Sequence, residues 1–322
     1  MQDYQTWRDL LSDLIKNPRQ RKKIARAVEI DTETLVAWAQ HTGTPSHQQL
    51  HMLLQAVPQR QMLLRTLIEE EFDAFADDRI DELPHIASIA LSARVLELYA
   101  SAPDESRFWS ICTAVLAEAV KQLDPDGLGI SLSIVQCMPS EDKTVSCLRE
   151  YIALGTSPWL NQIEIRTRFL GAESLAGQAV SSGQQQIIEE INPGQRLMSN
   201  TPEHVVSAAA FPIMHSKRIA GCFLLASTQA GYFSAQARQE LMQNYNAMLP
   251  LAFPPRDFYN LEQIALRVMP TFEVQQPYLS TFQQRIMATL KTAFTANRAI
   301  SYPEAQQHVY GQIAKELLQL HS

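Results

Sequence analysis

The chain has 322 residues, of which 46% are hydrophobic and 19% are charged, and its formal net charge at pH 7 is -7. This composition excludes a disordered or collagen-like protein, and the length favours two or three domains. Apolar runs are too short for a membrane helix, which requires about 20 residues, and the acidic, amphipathic N-terminus is unlike a signal peptide. Four cysteines without paired metal spacing fit a reducing compartment. We therefore expect a cytoplasmic protein without a membrane partner.

Residues 1–68 have the apolar periodicity of a small all-α domain. A leading helix is predicted over residues 4–16, with Trp7 and Leu10 on its inner face. Asp31 is placed to cap a later helix that carries Leu35 and Trp38 inward, because its side chain can accept from free backbone amides. Two more helices are predicted, one capped by Ser46 and one that begins near Pro58. Together with a helix that carries Ile24, Ala25 and Val28 on one face, these make five helices, enough for a self-contained domain.

The stretch from Arg21 to Leu54 resembles the helix-turn-helix of lambda-repressor-like (Xre-type) domains. The matching residues are Ile24, Ala25, Ile30, Asp31, Leu35, Trp38, Pro45, Leu50 and Leu53. Two departures stand out: Glu29 occupies the turn position that is usually glycine, and Ala39-Gln40-His41 follows the tryptophan. The resemblance implies that this domain binds double-stranded DNA.

The charges of this region are arranged as a DNA contact would need. A cationic cluster precedes the recognition helix and is suited to phosphate; it comprises Arg19, Arg21, Lys22, Lys23 and Arg26. The positions predicted to face the bases are Thr32, Glu33, Thr34, Ala37 and Gln40. They include no Arg or Lys, which leaves protein contact by a degenerate helix-turn-helix as the alternative.

Residues 69–103 are predicted to form an acidic hinge and a connecting helix. Apolar residues recur along this helix at spacings of three and four, as in the seam of a coiled coil: Ile86, Ile89, Ala93, Leu96 and Ala100. The pattern predicts either a dimer helix or a helix packed on its own domain, and it does not choose between them.

Residues 104–253 change to the alternation that is typical of strands. A helix over 105–123 is followed by two predicted hairpins, the first beginning at residue 130 and the second with its turn at 215–218. Together with the segment LGAESLAGQAVSSGQQQIIEEI (170–191) and the closing FPIMHSKRIAGCFLLAS, they resemble a GAF domain. The resemblance implies an antiparallel sheet flanked by helices, with a pocket on one face that holds a small ligand or serves dimerisation. The pocket wall is predicted to comprise Tyr151, Trp159, Phe169, Leu175 and Phe211.

Residues 254–322 are predicted to be a helical extension, with helices over 261–269, 278–297 and 303–320. Amphipathic stripes favour packing against the preceding domain or a subunit partner. The extension resembles no family that we can assign.

Catalytic patterns are missing from the sequence. There is no phosphate-binding glycine loop, nucleophile elbow or HExxH motif, and His47 with His51 lacks a third metal ligand nearby, so we expect neither an enzyme nor a metal site. GAF relatives include a free-methionine sulfoxide reductase, and Cys137 and Cys147 lie on the two arms of the first hairpin. A cysteine-dependent reductase is therefore an alternative. No cofactor is indicated.

The sequence thus predicts a multidomain protein: an all-α helix-turn-helix domain, an α+β GAF-like domain and an α-helical C-terminal extension. The predicted function is that of a homodimeric transcriptional regulator that binds double-stranded DNA and senses a small-molecule effector. The first alternative is a protein-interaction adaptor that binds no DNA, and the second is the reductase.

Overall fold

The computed structural model of the chain describes residues 4, 6–28, 30–57, 60–71, 89–140, 142–192, 194 and 204–320. It divides into two compact units, Met1–Leu83 and Pro84–Ser322. The second unit combines the predicted sheet domain and C-terminal extension with most of the connecting helix. Among the described residues, no helix combines the length and apolar character needed to cross a membrane.

The first unit contains these described helices: α1 (Trp7–Leu14), α2 (Pro18–Ala27), α3 (Thr32–Ala39), α4 (His47–Ala56) and α5 (Gln61–Glu71). Side chains of Thr6, Asn17, Asp31 and Ser46 accept backbone N–H groups at the starts of the first four. The first helix begins later than residue 4 because Thr6 and Asp9 form a capping box there. Glu29, Pro58 and the side chains of His47 and His51 lie outside the described residues.

A buried arginine joins three helices of this unit. Arg8 on α1 donates from Nη1 to the carbonyl oxygens of Trp38 (2.8 Å) and Gly43 (2.9 Å). Its Nη2 lies 2.9 Å from Oε1 of Glu71, at the end of α5. The surrounding core includes Trp7, Leu10, Ile24, Leu35, Trp38, Leu50, Leu53 and Leu64. The guanidinium thus supplies hydrogen bonds in a region that is otherwise apolar.

The described part of the second unit opens with α6 (Ile89–Ser101) and α7 (Asp104–Leu123). Leu91 and Val95 are buried residues of α6. The predicted seam lies on another face: Ile89 is 86% and Leu96 is 58% exposed, whereas Ile86 lies outside the described residues. One face of α6 therefore packs within its own unit and leaves the seam facing solvent.

A seven-stranded antiparallel sheet forms the centre of the unit, as the resemblance implied. Its strands are β1 (Ile130–Pro139), β2 (Val145–Gly155), β3 (Glu164–Ile165), β4 (Phe169–Leu170), β5 (Gln186–Ile188), β6 (Ser207–His215) and β7 (Arg218–Ser227). The order is β3-β2-β1-β7-β6-β5, and β4 also pairs with β2. Both predicted hairpins, β1–β2 and β6–β7, are confirmed.

The two faces of the sheet have different covers. On the first face, Val135 and Leu148 pack with α8 (Leu175–Ser182). On the second face, Leu132 and Ile152 pack with residues of α6, α7 and α9 (Gln236–Met248). We call these the cavity face and the helix face, because the first of the two cavities described below lies beside α8.

The extension differs from the prediction at its start. The sequence predicts a helix over 261–269, but only Leu261–Gln263 is helical, as one 3-10 turn. The chain then runs beside β2: the amide of Ala265 donates to the carbonyl of Val145 (3.0 Å), and that of Arg267 to Ser146 (2.9 Å). Backbone groups of the strand edge thus replace the hydrogen bonds that a helix would have made.

Three helices follow: α10 (Phe272–Ser280), α11 (Phe282–Thr295) and α12 (Tyr302–Gln319). They pack with residues of the sheet in one apolar cluster that includes Met138, Cys147, Phe169, Ile286, Val309 and Ile313. The extension is therefore part of the second unit, as the amphipathic stripes favoured.

Gln275 anchors the extension to the sheet. Its amide, 1% exposed, accepts from the Phe169 amide (2.9 Å) and donates to the carbonyls of Phe169 (2.9 Å) and Pro270 (2.8 Å). Gln275→Ala should lower the free energy of unfolding by about 3 kcal/mol, because it leaves buried backbone groups without partners. Chemical denaturation measures this. Gln276→Ala, on the exposed side of the same helix, is the control, and equal losses for both variants would contradict the anchoring role.

Candidate functional sites

The first candidate site is the cationic surface of α2. Arg19, Lys22, Lys23 and Arg26 are exposed. Arg21 is half-buried, and its Nε donates to the carbonyl of Ile15 (3.1 Å) at the end of α1. Four of the five predicted cations are therefore exposed to solvent, whereas Arg21 donates a hydrogen bond to a carbonyl at the C-terminal end of α1.

The predicted base-facing positions on and after α3 have unequal exposure. Glu33 and Gln40 are exposed, and Thr32 and Ala37 are half-buried. Thr34 already takes part in the N-cap of the helix, because its amide and its hydroxyl donate to the two carboxylate oxygens of Asp31, at 2.6 Å and 3.1 Å. The exposed part of α3 is thus neutral or acidic, and the cations lie on α2.

The second candidate site is a cavity of about 290 Å³ on the cavity face of the sheet, which we call the sheet cavity. Polar side chains from several elements line it: Ser131, Ser133, Glu150, Arg166, Arg168, Glu173, Ser174, Gln178 and Gln186. Apolar residues form the remaining wall, among them Leu170, Leu175, Ile187, Val205 and Leu224. A mainly apolar wall with a few polar groups is typical of sites for small molecules.

Two acids and two bases line this cavity, so their charges sum to zero, and Glu150, Arg166 and Glu173 have hydrogen-bonding partners. Arg166 lies 2.8 Å from Oε1 of Glu150 and 3.1 Å from Oε2 of Glu164. Burial works against the charge of Arg166, but the two carboxylates outweigh it and raise its pKa. Glu173 accepts the amides of Gly171 (2.9 Å) and Met269 (3.0 Å). The cavity therefore suits a small polar ligand without a large net charge.

Two of the five predicted wall residues, Trp159 and Leu175, line the sheet cavity. The other three lie elsewhere. Phe211 packs in the core of the helix face, and Phe169 packs against the extension. Tyr151 lies at a bulge, where Ile134 pairs with Ile152 but Val135 pairs with Glu150.

That bulge explains why simple alternation misplaces Tyr151. The extra residue lets Tyr151 and Ile152 both contact the helix-face core, and Glu150 then faces the cavity. The polar residues of the cavity wall were not predicted from the sequence. Two of them, Ser131 and Ser133, could have been identified from their position in the alternation of β1. They alternate with apolar neighbours but are only 5% and 2% exposed, so they face the cavity rather than solvent.

The four cysteines are buried and free. Cys137 pairs in register with Leu148 and Cys147 with Met138, so the two thiols point to opposite faces of the hairpin. Burial raises the pKa of all four thiols, to about 12 for Cys147. These properties oppose thiolate chemistry. In the described part of the chain, no group of His, Cys, Asp and Glu side chains could hold a metal ion.

The native protein should therefore react with Ellman's reagent at pH 8 far more slowly than a free thiol, because the nucleophile is the thiolate. The reaction should become rapid for all four cysteines in guanidinium chloride. Reagent absorbance over time measures both rates. Stoichiometric, rapid labelling of one thiol in the native protein would restore the case for a reactive cysteine.

Comparison with models of known protein families gives no match, and comparison with curated protein sequences gives none either. Among solved structures, a GAF domain from an Acinetobacter phosphoenolpyruvate-protein phosphotransferase is similar, with 15% identity, 50% of this chain and 89% of that chain covered, and a TM-score of 0.34. A type II free methionine-R-sulfoxide reductase from Thermoplasma acidophilum has 14% identity, covering 49% of this chain and 99% of that chain, with a TM-score of 0.34.

The GAF domain region of a protein from Geobacter sulfurreducens PCA has 16% identity, covering 51% of this chain and 97% of that chain, with a TM-score of 0.30. Similarities at this level say nothing about ligand or reaction. Both must therefore be inferred from the residues of this chain.

Proposed function

We propose that this chain is a DNA-binding transcriptional regulator whose GAF-like domain senses a small ligand, and that it is not an enzyme. The main support is the cationic surface of α2, where four exposed cations lie within eight residues. Lys and Arg that neutralise phosphates supply most of the sequence-independent affinity for DNA. The succession of α2 and the capped helix α3 is what a helix-turn-helix requires.

The neutral or acidic character of α3 fits this proposal if α2 anchors the DNA backbone. Phosphate contacts fix the position of a protein on DNA, while base-edge contacts choose the sequence. Glu33 and Gln40 are exposed and could make such base-edge contacts. A carboxylate can accept a hydrogen bond from cytosine, and an amide can bond the edge of adenine. Affinity would then come from α2 and sequence preference from α3.

The exposed seam of α6 supports a homodimer. This seam is an apolar stripe that other described residues of the chain leave exposed to solvent; it comprises Ile89, Ala93, Leu96 and Ala100. Pairing of two such stripes would bury it. A dimer would also bring two DNA-binding units to adjacent half-sites, which raises affinity through effective concentration.

The sheet cavity is the proposed effector site. Its serines, glutamines and paired charges can bond a small polar molecule, and its apolar wall can bury the rest. Such a ligand would regulate DNA binding only by favouring one conformation of the protein over another. Mass spectrometry of the protein after denaturation would identify a copurified ligand.

Fluorescence anisotropy with a duplex from the gene's own promoter tests DNA binding. We expect the affinity to fall steeply as salt rises, since several counterions are released, and to exceed that for a scrambled duplex. No binding to either duplex at low salt would overturn the proposal.

A protein-interaction adaptor is the second candidate, and the absence of Arg and Lys from α3 favours it. It predicts that the purified chain retains no nucleic acid and binds neither duplex. A reductase is disfavoured because the thiols are buried with raised pKa values.

A further inference from the structure

A second cavity, of about 430 Å³, lies on the helix face near the junction with the extension. We call it the Arg149 cavity. Its lining comes from the start of α7, from β1 and β2, from residues 253–259 and from the first half of α12. It shares no lining residue with the sheet cavity among the parts of the chain that the structure describes. Its volume falls in the range of roughly 300–1,000 Å³ that small-molecule sites occupy.

Arg149 is a buried cation in this cavity with few hydrogen bonds. The residue is 2% exposed, yet its Nε and Nη1 have no acceptor among the described residues. Its Nη2 has one long bond, of 3.5 Å, to Oε1 of Gln136. A buried guanidinium normally bonds a carboxylate or several carbonyls, because leaving it unpaired is unfavourable. Arg149 therefore has donor groups that an oxyanion could use.

Two aromatic rings stabilise this charge and restrict how a ligand can approach it. The guanidinium carbon lies 4.3 Å from the ring centre of Tyr151 and 3.8 Å from that of Tyr310 on α12. Burial lowers the pKa of Arg149, and the two tyrosines oppose this effect. Cation–π attraction acts between the ring faces and the cation, whereas hydrogen bonds to a guanidinium lie in its plane. A planar carboxylate can bond a guanidinium there with two parallel hydrogen bonds.

The rest of the lining disfavours a simple anion. Acids outnumber bases in it: the acids are Asp104, Glu105, Asp257 and Glu304, and the bases are Arg149 and Arg256. Asp104 is paired with Arg107 at 2.7 Å, and Glu304 accepts from the Ser301 amide at 2.8 Å. Burial raises the pKa of Asp257, and the nearby Arg256 opposes this. A ligand with a carboxylate and a cationic group would match both kinds of charge.

We propose that the Arg149 cavity binds a small zwitterion of the amino-acid class, with its carboxylate on Arg149 and its ammonium group toward Glu105 and Asp257. Phe108, Trp109 and Phe253 in the lining would contact an apolar side chain. This site is independent of the proposed function: it requires neither DNA binding nor a ligand in the sheet cavity.

Calorimetric titration of the full chain with each free L-amino acid tests the proposal. We expect at least one to bind, and its decarboxylated amine and its N-acetyl derivative each to bind at least about tenfold more weakly, since each lacks one charge. Inorganic phosphate should not displace it. No binding by any amino acid, equal binding of the N-acetyl derivative, or displacement by phosphate would overturn the proposal.

Arg149→Met locates the ligand. It should abolish binding and change Tm of the ligand-free protein little, because the lost cation–π contacts are offset by removal of a buried charge that has few hydrogen bonds. Arg168→Met changes a cation of the sheet cavity instead and distinguishes the two cavities. Unchanged affinity in Arg149→Met, or loss in Arg168→Met alone, would overturn the assignment.

A second variant tests the acidic rim without altering the buried arginine. Asp257 is 44% exposed, so Asp257→Asn should fold normally. We expect this variant to bind the zwitterion about tenfold more weakly and to bind the N-acetyl derivative as before, because only the zwitterion carries the ammonium charge. Equal effects on both molecules would contradict the proposed orientation and the zwitterion assignment.

Discussion

Replacing Arg19, Lys22, Lys23 and Arg26 together by alanine should weaken binding to double-stranded DNA on the order of 100-fold near 100 mM salt. The four side chains are exposed cations of α2, and each phosphate that they no longer neutralise keeps its counterion. The plot of log affinity against log salt should become shallower by about one unit for each phosphate that the variant no longer binds. Anisotropy titrations at several salt concentrations measure both quantities.

The matched control removes four exposed cations from the second unit: Lys121, Lys217, Lys315 and Arg298. It changes net charge equally, so any general electrostatic effect should appear in both variants. We expect the control to keep nearly all of the affinity and the salt dependence. Equal losses in the two quadruple variants would mean that α2 is not the DNA-binding surface.

Arg8→Met should destabilise the first unit by about 3 kcal/mol. The substitution removes the donor that the Gly43 carbonyl uses and one of the donors to the Trp38 carbonyl, and a buried carbonyl that loses its partner is costly. Glu71 is partly exposed, so water can take over its share of the pair. A domain of this size is only marginally stable, so this loss should lower its Tm by more than about 10 °C and leave part of the unit unfolded at 37 °C. DNA binding should fall with it, while the second unit stays folded.

Lys16→Met is the control within the same unit. Lys16 Nζ lies 2.9 Å from Asp13, the same distance as in the Arg8–Glu71 pair, but its side chain is 73% exposed. Exposed pairs contribute about 0–1 kcal/mol, so this variant should unfold almost as the parent does. Circular dichroism during denaturation compares the two. Similar losses would show that burial does not set the importance of Arg8.

Local signals in the sequence predict the helices of the first unit well because they act over a few residues. Asp31 and Ser46 cap helices at the places expected, since each side chain needs only the next turn of its own helix. The role of Arg21 is not predictable in the same way. Its bond to the Ile15 carbonyl depends on how two helices meet, and the sequence shows only another cation in a cluster.

Local alternation also predicts the long strands, but it does not predict the faces of β2. One extra residue at the bulge reverses the alternation, so Tyr151 lies away from the sheet cavity and Glu150 lies in it. The prediction of a helix over 261–269 is wrong beyond Gln263 for a related reason. The backbone partners of this segment, Val145 and Ser146, are more than a hundred residues away in the chain.

Arg149 and Glu150 are neighbours in the chain but line different cavities on opposite faces of the sheet. The peptide bond that joins them is thus part of the wall of both cavities. A shift of β2 that moves Glu150 in the sheet cavity therefore also moves Arg149 in the other cavity. If both cavities bind ligands, linkage requires that each ligand change the affinity for the other by the same factor. The sheet would then combine two chemical inputs through a single strand.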